Sequence, residues 1–248
     1  MNNATIVRVG GACALLGVSA GLAGALVGAV HSLGGQEIPL RDPADFLSLV
    51  QRGPSYLVRE WLFLAYAVFA VGEGVGLYYL TRPARSIALW ALVAFSAGIL
   101  IGIVQDAAVV AFVRQFPSDY AAADAMTRRA LEPLARTVVA IIDVQQAVAN
   151  VLLGVGGALY SVAILRTGVA SRWFGLLGVP AAVASVFFGV VTAAAPRLSE
   201  LQAVAEYAFG LVVLWDLGAA IVMLGFRDDA RQDGHANSPR HRGDRPAA

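Results

Sequence analysis

Six apolar stretches, each long enough to cross a lipid bilayer, are separated by polar connections. They cover residues 9–30, 57–80, 86–113, 137–165, 173–194 and 207–226. A transmembrane α-helix needs about 20 apolar residues, and backbone polar groups in hydrocarbon must form their hydrogen bonds within the segment. The pattern therefore predicts an all-α, polytopic membrane protein in which residues 1–226 form a bundle of six transmembrane helices.

The first apolar stretch has an alternative interpretation as a secretory signal peptide, because Arg8 supplies a short charged region before it. A signal peptide has an apolar core of about 7–15 residues followed by a small-residue cleavage site. The stretch is longer than that, and no such site follows it. We therefore expect an uncleaved membrane anchor.

The connection after the first stretch has the start and stop signals of a short amphipathic helix. Asp42 is a suitable N-cap, Pro43 suits the first helical position, and the Gly-Pro pair at 53–54 is a stop signal. We expect this helix to lie on the membrane surface. A lid over the bundle is the alternative.

Two features bound the last helix. Ser199 and Gln202 have the spacing of a capping box, which predicts that the sixth helix begins before its apolar run. Residues 227–248 mix charged residues with Gly, Pro, Asn and His and lack apolar periodicity. We predict a disordered C-terminal tail there.

The distribution of arginine predicts the orientation. Two short connections, 81–85 and 166–172, carry arginine without any acidic residue, and the tail adds five more arginines. By the positive-inside rule these segments face the cytoplasm, so both termini are predicted to be cytoplasmic. The connection 114–136 is a counterexample, because its four arginines would then face outward, although three acidic residues accompany them.

Composition supports a membrane location and excludes several classes of protein. Hydrophobic residues make up 58% of the chain and charged residues 14%, against about 45–50% and about 25% in soluble domains. The net charge of +1 comes from scattered residues, which argues against nucleic acid as a partner. Cys13 is the single cysteine, so no disulfide or thiolate metal cluster can form within one chain.

Two further compositional features concern cofactors and origin. No metal-binding or nucleotide-binding motif occurs in the sequence, and no cofactor is expected. All 18 basic residues are Arg, which together with frequent Ala, Gly and Val suggests a GC-rich bacterial genome. We therefore expect the protein in the cytoplasmic membrane of a bacterium.

Four acidic residues lie inside the predicted spans: Glu73, Asp106, Asp143 and Asp216. No basic residue lies at a comparable depth. An acidic side chain at the centre of a membrane helix costs about 2.5–3.5 kcal/mol. These side chains are therefore expected to face the bundle interior, water or one another.

Asp106 and Asp143 are the best candidates for a pair, because consecutive antiparallel helices place them at the same depth. Each acid belongs to a stripe of small and polar residues at helical spacing. The stripes are Ala94, Gly98, Gly102 and Asp106 on the third helix and Asp143, Gln146, Asn150, Gly154 and Gly157 on the fourth.

The predicted register sets Gly98 against Val151 and Gly102 against Ala147, where small residues allow close approach of the two helices. If both acids share a low-dielectric pocket, they cannot both ionise cheaply, and the pair would hold a shared proton. Alternatively, the stripes form interhelical hydrogen bonds that only fix packing. Both interpretations remain open on the sequence.

Residues 17–21, Gly-Val-Ser-Ala-Gly, match the nucleophile pattern G-x-S-x-G. That pattern functions on a turn between a strand and a helix, whereas here it lies in an apolar helix. Gly17 and Gly21, followed by Gly24 and Gly28, are better explained as small residues in a helix–helix contact.

Two segments carry a family resemblance. Residues 164–178, ILRTGVASRWFGLLG, combine a small residue, an arginine and a Leu-Gly step between two late helices, and residues 7–17, VRVGGACALLG, open the first helix. Both resemble the bacterial membrane family described as domain of unknown function 4386. The resemblance implies six helices over nearly the whole chain and an integral membrane protein without an assigned activity.

Three functional hypotheses follow. The first is a noncatalytic membrane protein that acts through helix packing, self-association or partner binding, because no complete catalytic constellation occurs. The alternative is a small proton-coupled transporter that uses intramembrane acids, although no internal repeat of the transporter type is found. A membrane enzyme ranks last, since a nucleophile with its base or a metal cluster is missing. The candidate polar cluster is Glu73, Asp106, Asp143, Gln146, Asn150 and Asp216.

Overall fold

The computed structural model describes residues 2–32, 55–194 and 199–227, and these residues are helical apart from short turns. The α-helices are α1 (Asn3–Ser32), α2 (Ser55–Thr81), α3 (Arg85–Ala122), α4 (Ala125–Thr167), α5 (Arg172–Ala194) and α6 (Ser199–Leu224). A 3₁₀ turn, Arg82–Ala84, joins α2 to α3. No strand occurs across these ranges, so the predicted all-α class is confirmed.

Within the described residues, five helical segments are long and apolar enough to cross a membrane. They are Asn3–Gly28, Leu57–Ala122, Ala125–Thr167, Arg172–Ala194 and Tyr207–Leu224. These segments indicate a multi-pass membrane protein. The predicted count of six spans is not confirmed by length and hydropathy alone, because α2, the 3₁₀ turn and α3 form one uninterrupted helical stretch.

That stretch reverses direction at its 3₁₀ turn. A methyl group added at Gly74 of α2 would lie 2.8 Å from Cδ1 of Phe95 in α3. Along one straight helix these two residues would be roughly 30 Å apart. The contact therefore requires α2 and α3 to pack side by side as a hairpin.

The six helices form a closed ring. Each helix packs against the next one in sequence, and α6 also packs against α1. Glycines allow close approach at these contacts; a methyl group at Gly10 of α1 would lie 2.5 Å from Cα of Gly76 in α2. Arg8 Nε donates to Phe226 O at 3.0 Å, which joins the start of α1 to the end of α6.

The ring encloses a continuous core and presents a different surface outward. Leu77, Ile99, Tyr160 and Met223, from α2, α3, α4 and α6, are among the buried residues of one cluster. Large apolar side chains such as Trp90, which is 66% exposed, cover the outside. The outer surface of the ring is therefore apolar, which suits contact with lipid.

Two helices are too long for a bilayer. At 1.5 Å per residue, α3 with 38 residues and α4 with 43 residues are about 57 and about 65 Å long, whereas the hydrocarbon core is about 30 Å thick. A second buried cluster, which includes Val109, Val113, Phe116, Ala135 and Ile142, joins their far halves. The two helices therefore project from the ring as a hairpin.

This projecting hairpin corrects the predicted connection 114–136. Hydropathy ended the third span at 113 and began the fourth at 137, but α3 continues to Ala122 and α4 begins at Ala125. The charged residues of this segment end the apolar character of the helices without ending the helices. Only Ala123 and Asp124 lie between them.

Hydrogen bonds at the tip explain why the helices persist. Asp124 Oδ1 accepts from Thr127 N at 2.7 Å as the N-cap of α4. Arg128 Nε donates to Tyr120 O at 3.1 Å, which caps the end of α3. Tyr120 OH donates to Glu132 Oε1 at 3.1 Å across the turn. Caps of this kind satisfy the free groups at helix ends.

The glycines of α1 pack as predicted. A methyl group at Gly17 would lie 3.5 Å from Tyr66 O, and one at Gly24 would lie 3.4 Å from Leu62 Cβ. Ser19, the centre of the G-x-S-x-G match, is exposed and donates to Leu15 O at 2.8 Å. The pattern is a helix–helix contact with α2, and the packing interpretation is confirmed.

Several predictions concern the helix ends and the remaining segments. The early start of the sixth helix is confirmed, since α6 begins at Ser199. The predicted surface helix between 42 and 54 and the predicted tail after residue 227 lie outside the described residues.

Candidate functional site

Two of the intramembrane acids meet across the ring. Glu73 of α2 is 2% exposed and Asp216 of α6 is 3% exposed, and they are close enough for their charges to interact. Tyr66, seven residues before Glu73 and so on the same face of α2, donates its hydroxyl to Asp216 Oδ2 at 2.8 Å. The Tyr66 hydroxyl thus fixes the position of the Asp216 carboxyl, and the Glu73 carboxyl lies nearby without a bond from Tyr66.

Two buried polar atoms, one on α2 and one on α6, have no hydrogen-bond partner among the described residues. They are Oε1 of Glu73 and Nε1 of Trp215. The Trp215 ring stacks on Phe174 of α5, with ring centroids 5.7 Å apart and planes 9° apart. Glu73 Oε1 is an acceptor and Trp215 Nε1 is a donor. Each atom loses its hydration on burial, which costs about 1–3 kcal/mol unless a partner replaces the water.

Helix α4 completes the site. Tyr160 OH donates to Gly74 O at 2.8 Å, which ties α4 to α2 next to Glu73. Gly157 lies one helical turn before Tyr160 and about 200° around α4 from Val155, which is 44% exposed to the outside. Gly157 therefore faces the interior of the ring at the level of Glu73.

Beside Gly157 there is open space. Gly157 is buried, yet a methyl group added there would meet no atom of the described residues within 4 Å. Glycine is the residue that leaves such room, because every other side chain begins with a Cβ. We refer to Tyr66, Glu73, Gly157, Trp215 and Asp216 as the interior site.

The charge of the interior is one-sided. Among the residues whose burial is described, the buried charged side chains are Glu60, Glu73 and Asp216, and all are acidic. No group of three or more His, Cys, Asp and Glu suited to a metal ion occurs in the described part of the chain. The interior site therefore holds acidic groups without a buried basic partner among the described residues.

The structure places the predicted pair of Asp106 and Asp143 elsewhere. Both are half-buried, on α3 and α4. Asp106 is close enough to Glu60 of α2 for the two charges to interact. Pairing of Asp106 with Asp143 stays a prediction.

The close approach predicted between these helices occurs at Gly98 and does not occur at Gly102. A methyl group at Gly98 would lie 2.8 Å from Ala149 O and 2.9 Å from Leu153 N, on either side of the predicted Val151. One at Gly102 would meet no described atom within 4 Å. The close approach at Gly98 is therefore not repeated one turn later at Gly102, although α3 and α4 meet again at the second buried cluster.

The polar stripe of α4 faces α5 at its centre, which corrects its predicted position against the third helix. Ser185 Oγ of α5 donates to Asn150 O at 2.9 Å, and Asn150 Nδ2 donates to Gln146 O at 2.9 Å. A methyl group at Gly154 would lie 2.6 Å from Val186 of α5. Because α4 has a neighbour on each side in the ring, its contact with α3 uses a different strip of its surface.

Sequence reasoning singled out Glu73 and Asp216 but missed their aromatic neighbours. The seven-residue spacing of Tyr66 and Glu73 was a usable signal, since it places both on one face of a helix. Trp215 carried a signal as well, because it lies in the middle of an apolar span, away from the interface where tryptophan is common.

Comparisons with known proteins give one positive result. No curated protein and no solved structure matches the chain. A family model, domain of unknown function (DUF4386), matches residues 9–225. This match covers most of the chain and confirms the resemblance carried by residues 7–17 and 164–178. The chain belongs to the DUF4386 family.

Proposed function

We propose that this protein is a small proton-coupled transporter whose proton site is formed by Glu73 and Asp216. The observation that carries the proposal is Oε1 of Glu73, a buried acceptor without a partner among the described residues, next to a second buried carboxyl. Ionisable residues inside a membrane protein commonly belong to ion or proton pathways.

The energetics of burial favour this role. An ionised carboxylate in a low-dielectric interior costs several kcal/mol unless a cation or hydrogen bonds compensate it. Tyr66 compensates Asp216 in part. Glu73 Oε1 has no such hydrogen bond among the described residues, so the charge of Glu73 must be compensated by a proton or a cation. We therefore assign the proton that is exchanged to Glu73.

Proton flux tests the proposal. The full chain is reconstituted in vesicles that contain a pH-sensitive dye, and a pH difference is imposed across the membrane. Glu73→Gln keeps the shape of the side chain and removes its titration, so it is expected to reduce the flux to that of protein-free vesicles. Glu132→Gln is the matched control, because it makes the same change in the projecting hairpin, where Tyr120 retains an acceptor.

Two outcomes oppose the proposal. If Glu73→Gln conducts protons as the unchanged protein does, Glu73 is not the proton site. If neither protein conducts and the variant unfolds at the same temperature as the unchanged chain, the acids belong to a noncatalytic protein, in which they contribute to packing or partner binding.

Asp106 is a second candidate for the proton site. The contact of Gly98 with Ala149 and Leu153 supports the register in which Asp106 and Asp143 lie at one depth. Asp106→Asn in the same flux assay separates the two sites: loss of flux in this variant, with flux retained in Glu73→Gln, would move the proposed site to α3 and α4.

We also propose that the chain crosses the membrane six times with both termini in the cytoplasm. The reversal between α2 and α3 supports two crossings in the stretch Leu57–Ala122. Reporter fusions at Ala248 and between Ala123 and Asp124 test this topology. A cytoplasmic signal at Ala248 and an external signal at the hairpin tip are expected, and the reverse pattern would invert the orientation.

A further inference from the structure

The interior site has features that a proton alone does not require. A proton needs one acceptor, which Glu73 provides. The site also holds an unsatisfied donor, Nε1 of Trp215, and open space beside Gly157. These features point to a ligand with volume and with an acceptor of its own.

A metal ion does not suit this donor set. A hard cation such as Ca²⁺ takes about six to eight oxygen ligands. In the interior site, the side-chain oxygens are those of Glu73, Asp216 and Tyr66, and the Tyr66 hydroxyl is committed to Asp216. An ammonium group needs fewer oxygens, since it donates to a carboxylate and is also attracted to aromatic faces.

The position of Trp215 adds the second requirement. Its Nε1 approaches α4 and α5: a methyl group added at Gly178 would lie 2.6 Å from Trp215 Nε1 and would overlap with Ser161 Oγ. Ser161 donates its own hydroxyl hydrogen to Gly157 O at 2.8 Å. The indole donor is thus held beside the turn of α4 that contains the open space and remains available for an acceptor.

We propose that the interior site binds a small primary ammonium ion that also carries a hydroxyl or carbonyl acceptor. The ammonium group donates to Glu73 Oε1 and neutralises the acid pair. The acceptor receives the Trp215 Nε1 hydrogen, and the carbon atoms of the ligand occupy the space beside Gly157. This inference rests on the proposed site at Glu73 and Asp216 and names the class of substrate that its proton would be exchanged for.

The test uses two amines of nearly equal size. The purified full chain in detergent is titrated at pH 7 with 2-aminoethanol or with propylamine, which replaces the hydroxyl by a methyl group; sodium chloride at equal ionic strength is the control. Binding is measured by calorimetry and by the shift of the unfolding temperature. We expect saturable binding of 2-aminoethanol, with propylamine about three- to tenfold weaker, as one neutral hydrogen bond implies.

Three variants assign the contacts. Glu73→Gln is expected to weaken both amines by about tenfold or more, because the charge-assisted hydrogen bond is lost. Trp215→Phe keeps an aromatic ring against Phe174 and removes the donor, so the two amines should bind it equally. Gly157→Ala places a methyl group in the open space and is expected to weaken both amines to a similar degree, without lowering the unfolding temperature of the free protein.

The outcomes separate this inference from the proposed function. Equal stabilisation by sodium chloride and 2-aminoethanol, or unchanged discrimination in Trp215→Phe, would overturn the inference. Proton flux that depends on Glu73, in a protein that binds neither amine, would support the proposed proton transporter and refute the ammonium substrate. Amine binding that depends on Glu73, in a protein that shows no proton flux even when the amine is present, would do the opposite.

Discussion

The interior site and the tip of the projecting hairpin both contain acidic and tyrosine side chains, but they differ in burial and in how fully these side chains are hydrogen-bonded. At the tip, Asp124 accepts a hydrogen bond in an exposed turn, and Glu132 accepts one from a half-buried position two turns into α4. In the interior, Glu73 is buried with an oxygen that has no partner among the described residues. Acids at the tip complete the ends of helices, whereas the acid in the interior is left unsatisfied by the fold.

Tyrosine shows the same contrast. Tyr120 joins the two helices of the hairpin through Glu132 at 3.1 Å, and both residues are half-exposed beside the turn at the tip. Tyr66 joins α2 to α6 through Asp216 at 2.8 Å, in a part of the ring where the acid is 3% exposed. An unmade hydrogen bond is replaced by water at the tip but remains unmade in the interior. Loss of a hydrogen bond is therefore expected to cost more in the interior than at the tip.

The largest expected effect tests where the ring is tightly packed. Gly98→Leu would force Cβ to within 2.8 Å of Ala149 O, and overpacking of this kind destabilises by about 1–3 kcal/mol or more. Gly102→Leu, one turn nearer the projecting half of α3, has open space for its first carbon. Unfolding free energies in one detergent should therefore fall for Gly98→Leu and change little for Gly102→Leu. Equal losses would show that Gly102 also lies in a close helix–helix contact.

The next effect compares the two tyrosines directly. Tyr66→Phe leaves Asp216 without its donor in a buried position, and we expect a loss of about 1.5–3 kcal/mol in unfolding free energy. Tyr120→Phe removes an equivalent hydroxyl at the tip, where water replaces it, so the expected loss is at most about 1 kcal/mol. Both variants are measured by denaturant unfolding in the same lipid or detergent. A larger loss for Tyr120→Phe would contradict the contrast between the regions.

The positions of the helices were largely predictable, because each apolar run of about 20 residues must be helical in lipid. The ends of α3 and α4 were not, since hydropathy marks where a helix leaves the membrane and says nothing of how far it continues. Both helices also contain an internal proline, Pro117 in α3 and Pro133 in α4, where sequence rules would place a break. The second buried cluster and the caps at Asp124 and Arg128 hold these extensions together.

The site was predictable in its acids and not in its partners. Depth matching works for consecutive helices, because their antiparallel register follows from the length of the connection, and it directed attention to Asp106 and Asp143. Glu73 and Asp216 lie on α2 and α6, which meet only because the ring closes through α1. Closure depends on contacts between helices far apart in sequence, and a single sequence carries no periodicity that reports them.

The smallest effect concerns the tip alone and should leave the interior site unchanged. Hydrogen bonds from Thr127 lower the pKa of Asp124 below its ordinary range, so the carboxylate stabilises the start of α4 at neutral pH. This contribution is present above the pKa of the unfolded chain and is lost as the pH falls below about 4.

Hydrogen exchange at the Thr127 amide measures this contribution locally. Its protection factor, corrected for the intrinsic effect of pH, should decrease between pH 6 and pH 3. Asp124→Asn is the matched control, because asparagine is also a good N-cap and does not titrate; its protection should stay constant over the same range. A decrease of equal size in Asp124→Asn would assign the pH dependence to another group. Since the tip is separated from the ring by the length of the projecting hairpin, neither variant is expected to alter proton flux.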